Sequence, residues 1–233
     1  MPQKIPLVLL PGLLCDAALW RAQVEGLGGL AEPMIADLTR DDLLAGMARR
    51  ALAAAPPSFA LAGLSMGGYV AQEIMRQAPE RVTRLALLDT SARADTPEQT
   101  ARRRGLIELS EKGEFKGVTP RLLPLLIHPA RHEDKPLGEL VMGMAERVGK
   151  EGFLRQQKAI MGRPDGREDL RRIACPTLVL CGRQDALTPL ALHEEIAGLV
   201  PGAKLVIVED CGHLSTMEKP VTVTAALRQW LTA

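Results

Sequence analysis

The chain has 233 residues, 46% of them hydrophobic, with 29 basic and 28 acidic side chains and a net charge of +1. That length and apolar content suit one α/β domain with room for an insertion. The balanced charge gives no electrostatic basis for binding nucleic acid or an anionic membrane. No apolar run approaches the roughly 20 residues of a spanning helix, and the first run is broken by Pro6 and Pro11, so it reads as a strand and not as a signal peptide. Four cysteines (Cys15, Cys175, Cys181 and Cys211) lack CxxC spacing, which with no export signal points to reduced thiols in a cytoplasmic protein. Aromatics make up only 3%, so a substrate pocket is expected to be lined by Leu, Ile, Val and Met.

In chain order, Ile5 to Leu10 reads as a buried strand ended by Pro11-Gly12. Asp16 is placed to cap a helix running through Leu19, Trp20, Val24 and Leu27. Met34-Ile35-Ala36 reads as a second strand, and Asp41 or Asp42 as the start of a helix stopped by Pro56-Pro57. The apolar run 58–62 leads into Gly63-Leu64-Ser65-Met66-Gly67-Gly68 and then a helical pattern, and Val82 to Leu88 is another strand. Strands and helices alternating at this spacing predict a mostly parallel sheet flanked by helices.

The alternation breaks from about 91 to 172. Thr96-Pro97-Glu98-Gln99 predicts a capped helix start, and helical patterns follow over 122–127, 137–148 and 152–161. This segment reads as an all-helical cap inserted into a core formed by 1–90 and 173–233, lying at the C-terminal ends of the strands and so over a site there. The sheet resumes at Pro176 to Leu180. Thr188-Pro189 is placed to cap a helix through Leu192 and Ile196, and Leu205 to Val208 reads as the last strand. Ser215-Thr216-Met217-Glu218 has the pattern of a capping box for a final helix reaching Trp230.

Strand, sharp turn and helix around Gly-x-Ser-x-Gly is the context of a nucleophile elbow, with Ser65 as the nucleophile. The turn forces the serine into an unfavourable backbone conformation, and Gly63 and Gly67 let strand and helix crowd past each other. A serine hydroxyl needs a base, and the base needs an orienting group. Of four histidines, His128 and His132 fall in the cap and His193 on a helix expected to face solvent; His213, in a Gly-bounded loop after a strand, is the candidate base. Asp185, also after a strand, is the preferred orienting acid because the order Ser, Asp, His fits. Asp89 is the rival, while the neighbours of Asp210 suggest a turn. Oxyanion donors are expected from the Met66 amide at a helix N-terminus and from the loop after the first strand, with Leu13 first and Leu14 second. Arg102-Arg103-Arg104 could meet a substrate carboxylate but more simply forms a solvated face. Met142, Met144 and Met161 could line an acyl pocket or pack the cap. No metal-ligand cluster and no cofactor-binding motif is present in the sequence.

Leu9-Leu10-Pro11-Gly12, the serine turn, Cys181-Gly182-Arg183-Gln184-Asp185 and Gly212-His213 together resemble the α/β-hydrolase superfamily over essentially the whole chain. The resemblance is to small cap-bearing bacterial esterase-like members, including the pimeloyl methyl ester esterase and enol-lactonase groups. It implies a serine hydrolase of the carboxylesterase type, without cofactor or metal, cleaving a small-molecule ester through Ser65, His213 and Asp185. Acyl transfer, thioester hydrolysis, C–C bond hydrolysis, or ligand binding without turnover are the alternatives. Two departures stand out. Pro11-Gly12 replaces the His-Gly of many members, and the usual N-terminal β-hairpin is missing, which predicts a sheet shortened at one edge.

Overall fold

A computed structural model describes residues 4–113 and 115–233. Six strands form one all-parallel sheet: β1 (Ile5–Leu10), β2 (Ala31–Ile35), β3 (Phe59–Leu64), β4 (Val82–Leu88), β5 (Thr177–Gly182) and β6 (Lys204–Val208), in the spatial order β2-β1-β3-β4-β5-β6. The central strands read as continuous apolar runs because both faces are covered. Alternate residues divide between two cores. Leu7, Leu9, Ala62, Leu64, Leu88 and Leu180 lie on one side, and Val8, Leu10, Leu61, Leu85, Leu87 and Val179 on the other. Pro33 is tolerated in β2 because that strand is an edge.

Helices α1 (Arg21–Leu27), α2 (Leu44–Ala54) and α3 (Met66–Gln77) follow the first three strands. The segment between β4 and β5 is helical, with α4 (Pro97–Lys112), α5 (Leu123–Leu126), α6 (Lys135–Met161) and α7 (Arg167–Leu170). Helix α6 breaks at Gly149, whose φ of 70° suits glycine. Before the break, Leu137, Val141 and Met144 join one core; after it, Ala159 and Ile160 join the other. Helices α8 (Leu190–Leu199), α9 (Ser215–Glu218) and α10 (Pro220–Thr232) complete the fold. Among the described residues, no helix is long and apolar enough to cross a membrane.

The Thr96 capping box at the start of α4 is formed in full. Three other expected caps are not, and in each case a different partner takes the capping side chain. Asp41 pairs with Arg50 at 2.7 Å, so α2 starts after Leu43 without a side-chain cap. Thr188 donates its hydroxyl to Asp185, and α8 follows Pro189. Ser215 and Glu218 reach outside their own turn, and the expected single helix is divided into α9 and α10 at Lys219, whose φ of −129° and ψ of 57° are non-helical ahead of Pro220.

Candidate active site

Ser65 joins β3 to α3 with φ 55° and ψ −115°, a region that L-residues rarely occupy. The strain is held in place by crowding. A Cβ on Gly63 would collide with the Gly67 backbone, and one on Gly67 with the Leu10 carbonyl, so neither position admits a side chain. Strand and helix therefore approach until the Ser65 hydroxyl stands at the C-terminal edge of the sheet. Gly182 does the same work two strands away, since a Cβ there would strike the Cys211–Gly212 backbone. That close approach draws the loop after β5 against the loop after β6.

The two loops deliver Asp185 and His213. His213 Nε2 lies 2.9 Å from Ser65 Oγ, and His213 Nδ1 lies 2.7 Å from Asp185 Oδ2. Asp185 also accepts from the amides of Leu187 (2.8 Å) and Thr188 (2.9 Å) and from the Thr188 hydroxyl (2.6 Å). Burial works against charge on both partners, but each stabilises the other. The His213 ring and the donors around Asp185 hold that carboxyl below its usual range, and Asp185 lifts His213 above 6.5 despite burial. With Asp185 ionised, Nδ1 carries the proton and Nε2 presents its lone pair to Ser65, the arrangement in which a hydroxyl can be activated.

Asp89, the rival acid, makes no hydrogen bond to His213. Its oxygens accept from Gly182 N–H (3.0 Å) and from the Ser215 hydroxyl (2.5 Å). Complete burial, and then the charge of Asp185, push it up to about 8. Asp210 has φ 50° and sits in the turn ahead of His213. His193 departs from expectation. It is fully buried, sharing the inner face of α8 with Ile196, and its Nε2 accepts from Thr90 N–H at 2.8 Å. Burial lowers it to about 4, so it is a neutral packing residue.

Around the serine, Gly12 places its Cα side against Ser65 Cβ and the Leu64 side chain. The Met66 and Leu13 N–H groups have no acceptor among the described residues, whereas Leu14 N–H donates to Gln156 Oε1 at 3.0 Å. The helical segment between β4 and β5 touches the site loop directly, for the Leu126 carbonyl accepts from both His213 N–H and Leu214 N–H at 3.1 Å. Glu218 ties the two together from below, taking Gly212 N–H at 2.9 Å and His128 N–H at 2.7 Å.

The remaining sequence candidates lie elsewhere in the packing. Arg103 is engaged by Asp95 (2.7 Å) and Gln157 (2.8 Å), with Arg102 and Arg104 exposed. Met144 is core, and Met142 and Met161 are half-buried. Burial drives Cys15 and Cys181 up to about 12, which leaves both as inert thiols. The contributions of Thr188, Glu218 and Gln156 carried no sequence signal of this kind, because each acts through a contact distant in the chain or disguised as a helix cap.

The chain shares this architecture with known proteins. It is 31% identical to a thermophilic esterase from Thermogutta terrifontis, with a TM-score of 0.88 over 99% of this chain and 90% of that one. It is 26% identical over 230 residues to the pimeloyl-[acyl-carrier protein] methyl ester esterase of Nitrosomonas europaea, covering 92% of this chain and 90% of the relative. A protein of Mycobacterium tuberculosis (strain CDC 1551 / Oshkosh), provisionally named non-heme bromoperoxidase BpoC, is 30% identical over 170 residues. That match covers 71% of this chain and spans 64% of the relative's own length. The family model described as "Alpha/beta hydrolase family" matches residues 7–227. With a six-stranded parallel sheet of that architecture and a match along nearly its whole length, the chain belongs to the alpha/beta hydrolase family.

Proposed function

We propose that this protein is a serine hydrolase that cleaves a small carboxylic ester through an acyl-enzyme. One observation carries the reading: His213 bridges Ser65 Oγ and Asp185 Oδ2 with hydrogen bonds of 2.9 and 2.7 Å through its two ring nitrogens. In this reading His213 takes the Ser65 proton as the oxygen attacks the ester carbonyl, and Asp185 stabilises the imidazolium that forms. The amides of Leu13 and Met66 hold the oxyanion, Met66 with the added help of the α3 N-terminus. His213 then protonates the departing alcohol. Deprotonating a water in turn, it releases the acid and restores the serine. Residues 91–172 act as a cap over this centre, and the esterases named among the relatives favour an ester over other acyl substrates.

The reading is tested by intact-protein mass spectrometry after fluorophosphonate treatment, together with p-nitrophenyl esters from acetate to octanoate. One adduct on Ser65, absent from Ser65→Ala, and burst or steady turnover of a short ester are expected. A Ser65→Ala variant that folds and still turns over esters at the wild-type rate would remove the proposal.

A further inference from the structure

Leu14 is in an unusual position. It is a branched residue at φ 57°, next to the amide expected to hold the oxyanion, and its own loop contributes only the Cys15 N–H to Gly12 carbonyl bond of 3.1 Å and the weaker Cys15 Sγ to Leu13 carbonyl contact of 3.5 Å. A left-handed non-glycine residue is strained and persists only where its surroundings over-determine it. Here the surroundings belong to α6. The Leu14 side chain packs with Ala145 and Phe153, and its N–H donates to the side chain of Gln156 at 3.0 Å. Gln156 is fully buried, and its other end donates to the Leu38 carbonyl at 3.3 Å, beyond β2. One amide side chain from the segment between β4 and β5 thus pins the loops that follow β1 and β2.

We infer that Gln156 is a positioning residue for the oxyanion loop: it occupies Leu14 N–H, fixes the left-handed turn, and so sets where the free Leu13 N–H points. The inference rests on the serine hydrolase reading for the role of Leu13. The glutamine suits this task because the loop offers a donor and the Leu38 carbonyl an acceptor, and a primary amide answers both at once without a charge. The oxyanion donor is therefore held by a residue of the cap segment and not by the core strand that carries it.

The test begins with the wild-type protein. In amide exchange followed by NMR, Leu14 N–H should be protected while Leu13 N–H is not. Forming the phosphonyl adduct on Ser65 should shift Leu13 and Met66 and leave Leu14 in place. Gln156→Leu removes both hydrogen bonds at similar bulk. Its maximal rate of fluorophosphonate labelling should fall about 10- to 100-fold, the scale set by a displaced oxyanion donor. Its half-saturating reagent concentration and the pH dependence of labelling should stay as in the wild type, a split that general loosening of the fold would not produce. Gln156→Glu keeps the acceptor for Leu14 but loses the donor to Leu38, and should fall between the two. If Gln156→Leu does not fold, the wild-type exchange pattern and the glutamate variant decide. The inference is overturned if Gln156→Leu labels at the wild-type rate, or if Leu14 N–H exchanges as freely as Leu13 N–H. Ser65→Ala is run alongside. Continued labelling of that variant would sink the hydrolase reading, whereas its loss beside wild-type labelling of Gln156→Leu sinks this inference alone.

Discussion

Asp185 Oδ2 lies 2.7 Å from His213 Nδ1, with the Asp185 side chain 0% and the His213 side chain 4% exposed. At that burial the carboxylate is the main force holding a proton on the ring, and Asp89, equally buried nearby, spends its oxygens on Gly182 and Ser215. Asp185→Asn should therefore cut turnover by roughly 10⁴-fold, by offering His213 the wrong hydrogen-bonding partner. Asp89→Asn should stay within about tenfold, since that group spends its oxygens on Gly182 and Ser215, and burial pushes it up to about 8. Steady-state kinetics on one ester decides between them, and the reverse order of effects would transfer the acid role to Asp89. The pH profile carries a second check. His213 must be neutral to act as a base, and Asp185 raises its pKa above 6.5, so wild-type activity should fall as pH drops through a midpoint above that value. With the carboxylate gone, the largest raising influence is lost while burial still lowers the ring, and the residual activity of Asp185→Asn should fall off at a lower pH.

Ser65 holds φ 55° and ψ −115° without a side-chain cap. Backbone strain of this kind is of order 1–3 kcal/mol, and glycine would relieve it while adding about 0.5–1 kcal/mol of unfolded-state entropy. Ser65→Gly should be inactive yet more stable than the wild type, with Tm raised by about 2–4 °C for each net kcal/mol. Ser65→Ala should be inactive with Tm close to the wild type. A Ser65→Gly variant that melts below Ser65→Ala would mean the elbow is not strained.

What could be read from the sequence was local. The central strands announce themselves as apolar runs, and β3, Gly-x-Ser-x-Gly and α3 form one contiguous pattern. His213 and Asp185 each follow a strand in a turn, so the three side chains near one another in space were each visible from their own neighbourhood. Apart from Thr188, which serves the nearby Asp185, the misread residues are those whose pattern fitted a local use while the fold assigned a distant one. Ser215-x-x-Glu218 has the spacing of a capping box, yet Ser215 serves Asp89, 126 residues away, and Glu218 serves His128, 90 residues away. His193 sits in a helix with polar neighbours, and nothing in the sequence says that its face is the one turned to Thr90. Gln156 is a mid-helix glutamine of the commonest kind, and its partner at Leu14 is 142 residues distant. Residues acting within one strand-turn-helix unit were legible; those bridging two units were not.

His193 makes the stability depend on pH in a defined direction. Its folded pKa is lowered to about 4 from 6.5, chiefly by burial, so the unfolded chain binds a proton between those values that the folded chain refuses. Stability should therefore be lost as pH falls from 6.5 towards 4, by about 3 kcal/mol at full extent. His193→Gln keeps an acceptor for Thr90 N–H but has no titrating ring. Urea denaturation from pH 7 to pH 4 should give the variant a shallower decline than the wild type. Parallel declines would mean that His193 is not held neutral in the fold.

Glu218 is the side chain through which the His213 loop and the helical segment between β4 and β5 share a fastening. Its two oxygens take Gly212 N–H and His128 N–H at 2.9 and 2.7 Å, while Arg131 donates to its backbone carbonyl at 2.6 Å. Glu218→Ala leaves the buried Gly212 N–H without an acceptor, at a cost of about 1–3 kcal/mol, and the half-buried His128 N–H at a smaller one. Glu218→Gln retains one carbonyl oxygen and sets an amide N–H₂ against the second donor, so it should fall between alanine and the wild type. Because Gly212 directly precedes His213, the loss should also reach the base. The alanine variant is expected to lose turnover beyond what its folded fraction accounts for, and to be cleaved faster by trypsin at Arg131 once the His128 end is released. Loss of stability with unchanged turnover per folded molecule would confine Glu218 to holding the segment, and leave the His213 loop supported by the Leu126 carbonyl and by Gln184 at Cys211.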